Sequence, residues 1–322
     1  MKKDKNKLVF IAGQNGMVGS AVYKLLKSKK KYNILDCSRK KLDLTNQEKV
    51  YNWIKKKKPD IVINAAGRVG GILDNSRFQD EYLYINSMIG LNLANACHKN
   101  DVHKFINLGS ACIYPKDSKQ PIKESSLLSS KLEPTNEGYA LAKILVLKYC
   151  EYLQKKFKKN FITLQPANLY GEGDNFDLQS SHVMPALIRK FHEAVKEKKY
   201  TVEVWGSGIA QREFLHVDDL ARAIYFCMNK KIKNSFVNVS GADSIKIIDL
   251  CKLIKKITNF KGEIIFNKNY PDGVLKRKLE KRILSSLGWK AKIKLNSYHG
   301  IKSYYEYFKK NIDNKYFFFY FL

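Results

Sequence analysis

Short apolar runs alternate with longer amphipathic stretches through the first half of the chain. Leu8 to Ala12, Asn33 to Cys37, Ile61 to Asn64, Phe105 to Leu108 and Phe161 to Leu164 read as strands buried on both faces. Between them the spacing predicts helices from the first glycine run to about Ser28, over Gln47 to Lys56, Glu81 to Lys99 and Tyr139 to Lys156. On the third helix the apolar face is Leu83, Ile85, Ile89, Leu93 and Cys97. Strand and helix in strict alternation make an α/β chain with a doubly wound parallel sheet.

After Gly171 the pattern loosens. Helices are expected over Ala186 to Lys196, Asp218 to Met228 and Ile247 to Ile257, with strands at Val202 to Trp205, Glu213 to His216, Val237 to Val239 and Glu263 to Phe266. The expected division is a Rossmann-type domain over 1–171 and a smaller α/β lobe over 172–322 that caps it, with some chain crossing back. Repeats and low-complexity segments are absent.

Composition narrows the function classes. With 322 residues and 44% hydrophobic content the chain buries a large core and is not disordered. Its 59 basic and 30 acidic residues give +29, which raises nucleic-acid binding. Only eight of the basic residues are Arg, and the Lys cluster at predicted helix ends (Lys27 to Lys31, Lys55 to Lys58, Lys155 to Lys159), so the charge reads as solvated surface. Neither nucleic acid nor membrane is expected as a partner, and the field would draw in anionic substrates. The six cysteines show no C-x-x-C spacing or metal-like pattern, and no signal peptide is visible, so a cytoplasmic, reducing location without a metal site is expected. The aromatic Tyr316 to Leu322 is too short to span a bilayer.

Three stretches carry chemistry. Gly13-Gln14-Asn15-Gly16-Met17-Val18-Gly19 sits between strand and helix, where glycines let backbone amides approach a pyrophosphate on the helix N-terminus. After the second strand Asp36 falls early for a ribose hydroxyl, whereas Arg39 stands where a 2′-phosphate needs it, which favours NADP(H). Leu108-Gly109-Ser110-Ala111-Cys112 places a serine and a cysteine at the carboxyl end of a buried strand. Tyr139 and Lys143, four apart, share one helix face, and a lysine beside a phenol is expected to lower its pKa. Ser, Tyr and Lys together form a proton relay facing a carbonyl or hydroxyl carbon. Each residue alone has a plainer role: Cys112 a small core residue, His182 a capping or core histidine, Trp205 a core aromatic, Arg212 one side of an ion pair.

With these motifs in order, joined by Asn64-Ala65-Ala66-Gly67, the chain resembles the extended short-chain dehydrogenase/reductases. Arg68-Val69-Gly70-Gly71-Ile72, Glu133-Pro134-Thr135-Asn136-Glu137, Ser181-His182-Val183, Val204-Trp205-Gly206-Ser207-Gly208 and Arg212-Glu213-Phe214-Leu215-His216-Val217-Asp218-Asp219 narrow the likeness. It points to the branch that epimerises and reduces GDP-4-keto-6-deoxy-D-mannose with NADPH. The resemblance implies that Gly13, Gly16 and Gly19, with Gln14, Asn15, Met17 and Val18, hold the pyrophosphate, and Arg39 the 2′-phosphate. Asp43 and Leu44 would lie by the adenine, and Leu108, Gly109, Pro166, Ala167, Asn168 and Leu169 would border the cofactor. It implies that Ser110 and Tyr139 bind the sugar keto oxygen, Lys143 the nicotinamide ribose, and that Cys112 and His182 are epimerisation base and acid, His182 also touching the cofactor. Lys190, Trp205, Arg212 and Asp272 would contact the GDP-sugar. Asn15 stands where some members carry an Arg, and Ala167 replaces a common Thr. A homodimer through the two long helices is implied. The rival expectations are a C4 reductase or epimerase-reductase on a colitose or heptose precursor, and a non-catalytic NADP-sensing or nucleic-acid-binding protein.

Overall fold

The computed structural model describes residues 6–241, 243–270 and 272–311; the aromatic stretch Tyr316 to Leu322 lies outside them. The first half runs β1 (Lys7–Ala12), α1 (Met17–Ser28), β2 (Tyr32–Leu35), α2 (Gln47–Lys57), β3 (Ile61–Asn64), α3 (Ile72–Arg77), α4 (Gln79–Lys99), β4 (Lys104–Leu108), α5 (Glu137–Phe157) and β5 (Phe161–Pro166). The second half adds β6 (Asn168–Tyr170), α6 (Val183–Lys196), β7 (Thr201–Trp205), β8 (Gln211–His216), α7 (Val217–Asn229), β9 (Phe236–Val239), β10 (Asp243–Lys246), α8 (Ile247–Thr258), β11 (Glu263–Asn267), β12 (Lys276–Arg277), α9 (Arg282–Ser286) and α10 (Ser303–Asn311).

Six strands form one sheet in the order β2-β1-β3-β4-β5-β9, every pair parallel. Val9, Ile11, Ile63, Phe105, Ile106 and Leu164 are almost fully buried because helices cover both faces. The order reverses between β1 and β3, which opens a crevice at their carboxyl ends. The chain crosses back to the first half beyond residue 171. α7 packs on α1, and β9 completes the first sheet beside β5. Lys104 of β4 ties this return down: its buried Nζ donates to the carbonyls of Met228 at 3.2 Å and Lys230 at 3.0 Å, and to that of Cys227, at the end of α7.

The remaining second half folds around its own core of Ile188, Phe191, Leu250 and Ile254. A second sheet has the order β10-β8-β12, with β6, which follows directly on the carboxyl end of β5, also on β8. β7 and β11 pair separately.

α4 and α5 lie against each other closely, and a Cβ on Gly90 would sit 2.4 Å from Val146. Of the expected apolar face of α4, Ile89, Leu93 and Cys97 are buried, whereas Leu83 is exposed. That correction reflects the helix end, where Leu83 stays 38% exposed; Tyr84, Leu141, Leu145 and Tyr152 are exposed on the same two helices.

Candidate active site

The glycine run crosses the crevice at the switch point. Gly13 has φ +82°, and a Cβ there would lie 2.8 Å from the Ala65 carbonyl and from Cα of Ala66. A Cβ on Gly19 would meet the Gly13 carbonyl oxygen at 2.0 Å. Gly16 is different: a Cβ there would make only ordinary contact, at 3.4 Å. α1 starts at Gly16 without a side-chain cap or an acidic residue in its first turn, so its N–H groups face the crevice ready for an anion. Gln14 buries an unpartnered Oε1 beside this turn; Asn15 is exposed, and Met17 and Val18 are half-buried.

Arg39 is exposed in the turn after β2 and makes no ion pair among the described residues, while its neighbour Lys41 pairs with Asp36 at 3.2 Å. Asp43 accepts from Thr45 N at 2.9 Å and Thr45 Oγ1 at 2.7 Å, which holds its carboxyl below the usual range. The Leu44 carbonyl accepts from Asn92 at 3.0 Å.

β4 delivers the reactive groups. It ends at Leu108, and Gly109 passes so close to Gln165 that a Cβ would lie 1.9 Å from its amide oxygen. Gln165 then accepts from Ser110 N at 2.7 Å. The Ser110 hydroxyl accepts from Cys112 N at 3.2 Å, starting the short helical turn Ala111–Ile113 that presents Cys112 half-buried. Asn136 Nδ2 stands 3.5 Å from the Cys112 sulfur. Tyr139 and Lys143 come from the first turns of α5.

Burial dominates both groups. The Tyr139 phenol is pushed up by desolvation and further by the Cys112 thiol, with a Ser110 hydrogen bond opposing. The expected lowering of this phenol by its lysine is thus corrected. Lys143 Nζ sits 5.5 Å from the ring centroid and donates to the Leu108 carbonyl at 3.0 Å, and its own burial pushes it down to about 8. The pair is a neutral phenol beside a lysine close to its titration point.

His182 sits at the N-terminus of α6 without capping it. The residue is exposed, yet surrounding protein desolvates the imidazole and lowers its pKa. Its strand of chain reaches the reactive group through neighbours: Gly71 N donates to Ser180 O at 2.8 Å, and Gly70 lies against the Tyr82 hydroxyl. Tyr82 in turn meets the Tyr139 ring edge-on at 6.0 Å.

The second half supplies the opposite wall. Arg212, mostly buried, donates to the Gln211 carbonyl at 3.1 Å, the Asp272 carbonyl at 2.9 Å and the Val274 carbonyl; desolvation and the adjacent Arg277 push it down to about 10. Among the described residues it makes no ion pair with a carboxylate, so the plain ion-pair reading fails. Cys112 lies close enough to Arg212, Tyr139 and Lys143 to perturb all three. Asp272 spends its carboxylate on Ser207, at 2.8 Å from N and 2.7 Å from Oγ, and so braces the Gly206 to Gly208 turn. Lys190 donates to the Glu203 carbonyl at 3.1 Å and lies 4.9 Å over Trp205, which stacks on Tyr270 at 4.4 Å. Ala167 N donates to the Val239 carbonyl at 3.0 Å, just past Pro166; Asn168 and Leu169 begin the wall.

Sequence reading overlooked Gln165, Asn136, Tyr82 and Arg277. Asn136 alone had a signal, its place three residues before Tyr139. The others reach the site only through packing.

A Gly-turned crevice at a parallel switch point, with Ser110, Tyr139 and Lys143 gathered beside it, defines a dinucleotide-dependent enzyme of the short-chain type. The chain belongs to the NAD dependent epimerase/dehydratase family, whose profile matches residues 9–240. Within it, the chain is 41% identical to a GDP-L-fucose synthase of Sinorhizobium fredii over 309 residues, 96% of this chain and 98% of the relative. It is 41% identical to the GDP-L-fucose synthase of Escherichia coli, covering 95% and 97% of the two chains. A GDP-L-colitose synthase of Yersinia pseudotuberculosis is 38% identical, covering 95% and 99%. Among solved structures, a GDP-6-OMe-4-keto-L-xylo-heptose reductase of Campylobacter jejuni superposes with TM-score 0.87 at 34% identity, covering 95% and 99%. A GDP-mannoheptose C4 reductase of the same organism with NADP bound gives 0.85 at 32%, covering 96% and 100%.

Proposed function

We propose that this chain converts GDP-4-keto-6-deoxy-D-mannose into GDP-L-fucose, epimerising C3 and C5 and reducing C4 with NADPH. One observation carries the reading: Cys112 stands within electrostatic reach of Tyr139 and Lys143 while its own amide is held by Ser110. Epimerisation needs a base there, and reduction alone does not. The identities to GDP-L-fucose synthases over nearly the whole chain support the same substrate.

NADP(H) fits the crevice, since Gly13 and Gly19 leave no room for side chains and the N-terminus of α1 is uncapped. Gly13 to Gly19 would hold its pyrophosphate, Arg39 the 2′-phosphate, and Lys143 the nicotinamide ribose. When bound, it supplies the hydride delivered to C4. The chain's own groups do the rest. Ser110 and Tyr139 donate to the keto oxygen, which acidifies the C–H bonds on either side. Cys112, as thiolate, takes the proton at C3 and that at C5 in turn from one face and loses each to solvent, while His182 delivers a solvent-derived proton from the other face each time, inverting each centre through an enolate. A phenol raised by burial keeps its proton until an alkoxide develops at C4 and then gives it up. His182, held neutral, needs a proton from solvent, to which it is exposed, before each delivery.

The exposed apolar strip of Leu83, Tyr84, Leu141, Leu145 and Tyr152 supports a homodimer through α4 and α5. All six cysteines are free, four of them buried, which supports a cytoplasmic setting. No helix among the described residues is long and apolar enough to cross a membrane.

Incubation with GDP-4-keto-6-deoxy-D-mannose and NADPH in heavy water tests the reading. It expects NADPH loss, GDP-L-fucose, and deuterium at C3 and C5. The heptose reductase of Campylobacter jejuni motivates a second reading, reduction at C4 of another GDP-keto sugar. NADPH loss without deuterium would select it, and no turnover at all would reject both.

A further inference from the structure

Asn136 is the residue from which α5 starts, a position where an asparagine side chain ordinarily accepts from the first amides of its helix. Here it makes no capping bond. Its Nδ2 turns instead to the Cys112 sulfur, at 3.5 Å, and its buried Oδ1 has no hydrogen-bond partner among the described residues. The cap comes from another helix. Gln79, the first residue of α4, accepts from Gly138 N at 3.0 Å through its side-chain oxygen, and its Nε2 donates to the Pro134 carbonyl at 3.0 Å. These two bonds close on the turn that carries Asn136, from either side of it. The Gln79 backbone lies so near that a Cβ on Gly138 would sit 2.3 Å from its carbonyl oxygen.

An asparagine that served only the fold would cap its helix and pair both ends of its amide. Asn136 forgoes both and keeps one bond, to a sulfur. A thiol is a weak acceptor and an ionised sulfur a much stronger one, so an amide donor there favours the ionised form and fixes its position. We propose that Asn136 is a positioning residue that holds the Cys112 sulfur in place as a thiolate base, and that Gln79 frees it for this task by capping α5 in its stead. This rests on the epimerase reading above. The other groups that face the sulfur are Tyr139 and Lys143 of α5 and Arg212 of β8, with Glu133 of the same turn facing Arg212. Lys143 and Arg212 add positive charge nearby, but among the described residues Asn136 is the one side chain hydrogen-bonded to the sulfur.

The test is alkylation of Cys112 by iodoacetamide in the full chain, read by peptide mass spectrometry so that Cys37, the other half-buried cysteine, is counted separately. The readout is the rate at pH 7 divided by the rate at about pH 9.5, in wild type and in Asn136→Ala, with NADPH binding as the control for folding. The ratio should fall roughly fivefold or more in the variant, because nothing then favours the ionised sulfur through a hydrogen bond. Deuterium uptake at C3 and C5 at pH 7 should fall by about the same factor. Gln79→Ala should move the ratio the same way but less, since Asn136 can then turn onto α5, and an unchanged ratio there removes the part given to Gln79. In Asn136→Ala, a ratio within about twofold of wild type overturns the inference even if activity falls, because a merely structural role leaves the pH response of the thiol alone. A wild type that takes up no deuterium rejects the epimerase reading and with it the base role of Cys112, while the ratio still decides whether Asn136 holds the sulfur. If Asn136→Ala no longer binds NADPH, Asn136→Asp carries the test, since it can cap α5 and offers the sulfur no N–H. Its ratio should fall at least as far, and an unchanged ratio overturns the inference.

Discussion

The two walls of the cleft are built on opposite electrical principles. At the sheet end, burial moves both ionisable partners toward neutrality: the Tyr139 phenol upward, the Lys143 ammonium down to about 8. On the facing wall Arg212 and Arg277 stand beside the buried Glu213, whose carboxyl burial raises, and Arg212 at about 10 stays charged at any ordinary pH. Protons move where charge is nearly balanced between states, and anions are held where charge is fixed. One region is suited to chemistry and the other to grip. The difference follows from residue type, since the same desolvation acts on both.

Removing the proton donor breaks the first region most severely. Tyr139→Phe should lower the reduction rate by about a hundred- to ten-thousandfold, while deuterium still enters C3 and C5. Cys112→Ser should do the reverse, abolishing most deuterium uptake and lowering product formation by at least about a hundredfold. If both variants lost exchange and reduction equally, the division of labour between thiol and phenol would be wrong.

Lys143 sharpens the contrast through pH. Its folded value of about 8 lies below its ordinary 10.5, so the fold disfavours the charged form. That penalty is fully present below about pH 8 and fades as pH rises toward 10.5, where the unfolded chain also loses the proton. Lys143→Met should therefore raise stability at pH 7 by about 1–2 kcal/mol, less the bond to Leu108, and lose that advantage by pH 10. Chemical denaturation at the two pH values measures it. Reductase activity should be nearly gone in the same variant, and kcat/KM of the wild type should fall above about pH 8 as the cation is lost.

The cofactor crevice was legible because its signals are local. A strand, a glycine turn and a helix follow one another within the first turns of chain, and Gly13 and Gly19 are glycine for contacts with each other and with Ala65. Ser110 and Cys112 were legible for the same reason, at the end of a short buried run. The direction of the Tyr139 shift was not. Helical spacing shows that Lys143 is near but not that its ammonium turns to the Leu108 carbonyl or that both groups are buried. Arg277 was out of reach too: β12 is too short to show a period, and its partner strand lies some sixty residues earlier. The return of β9 to the first sheet is likewise a long-range pairing, fixed by Lys104 and α7 rather than by anything near residue 236.

The joints between the halves extend the comparison to stability, with effects smaller than those on activity. Lys104 is 3% exposed, and its ammonium takes three carbonyls that the end of α7 leaves without partners. Lys104→Met keeps the stem but strands those oxygens, so denaturant titration should show a loss of about 2–3 kcal/mol. Lys24 and Glu172 also bridge the halves, at 2.6 Å, a distance shorter than two of the Lys104 bonds. Their side chains are 65% and 57% exposed, so water competes for both and salt screens them. Glu172→Gln should change stability by less than about 0.5 kcal/mol, and that small change should vanish in high salt. An effect as large as that of Lys104→Met would mean that contact distance rather than burial sets the strength of these joints, and the same rule would then have to be abandoned for the two walls of the cleft.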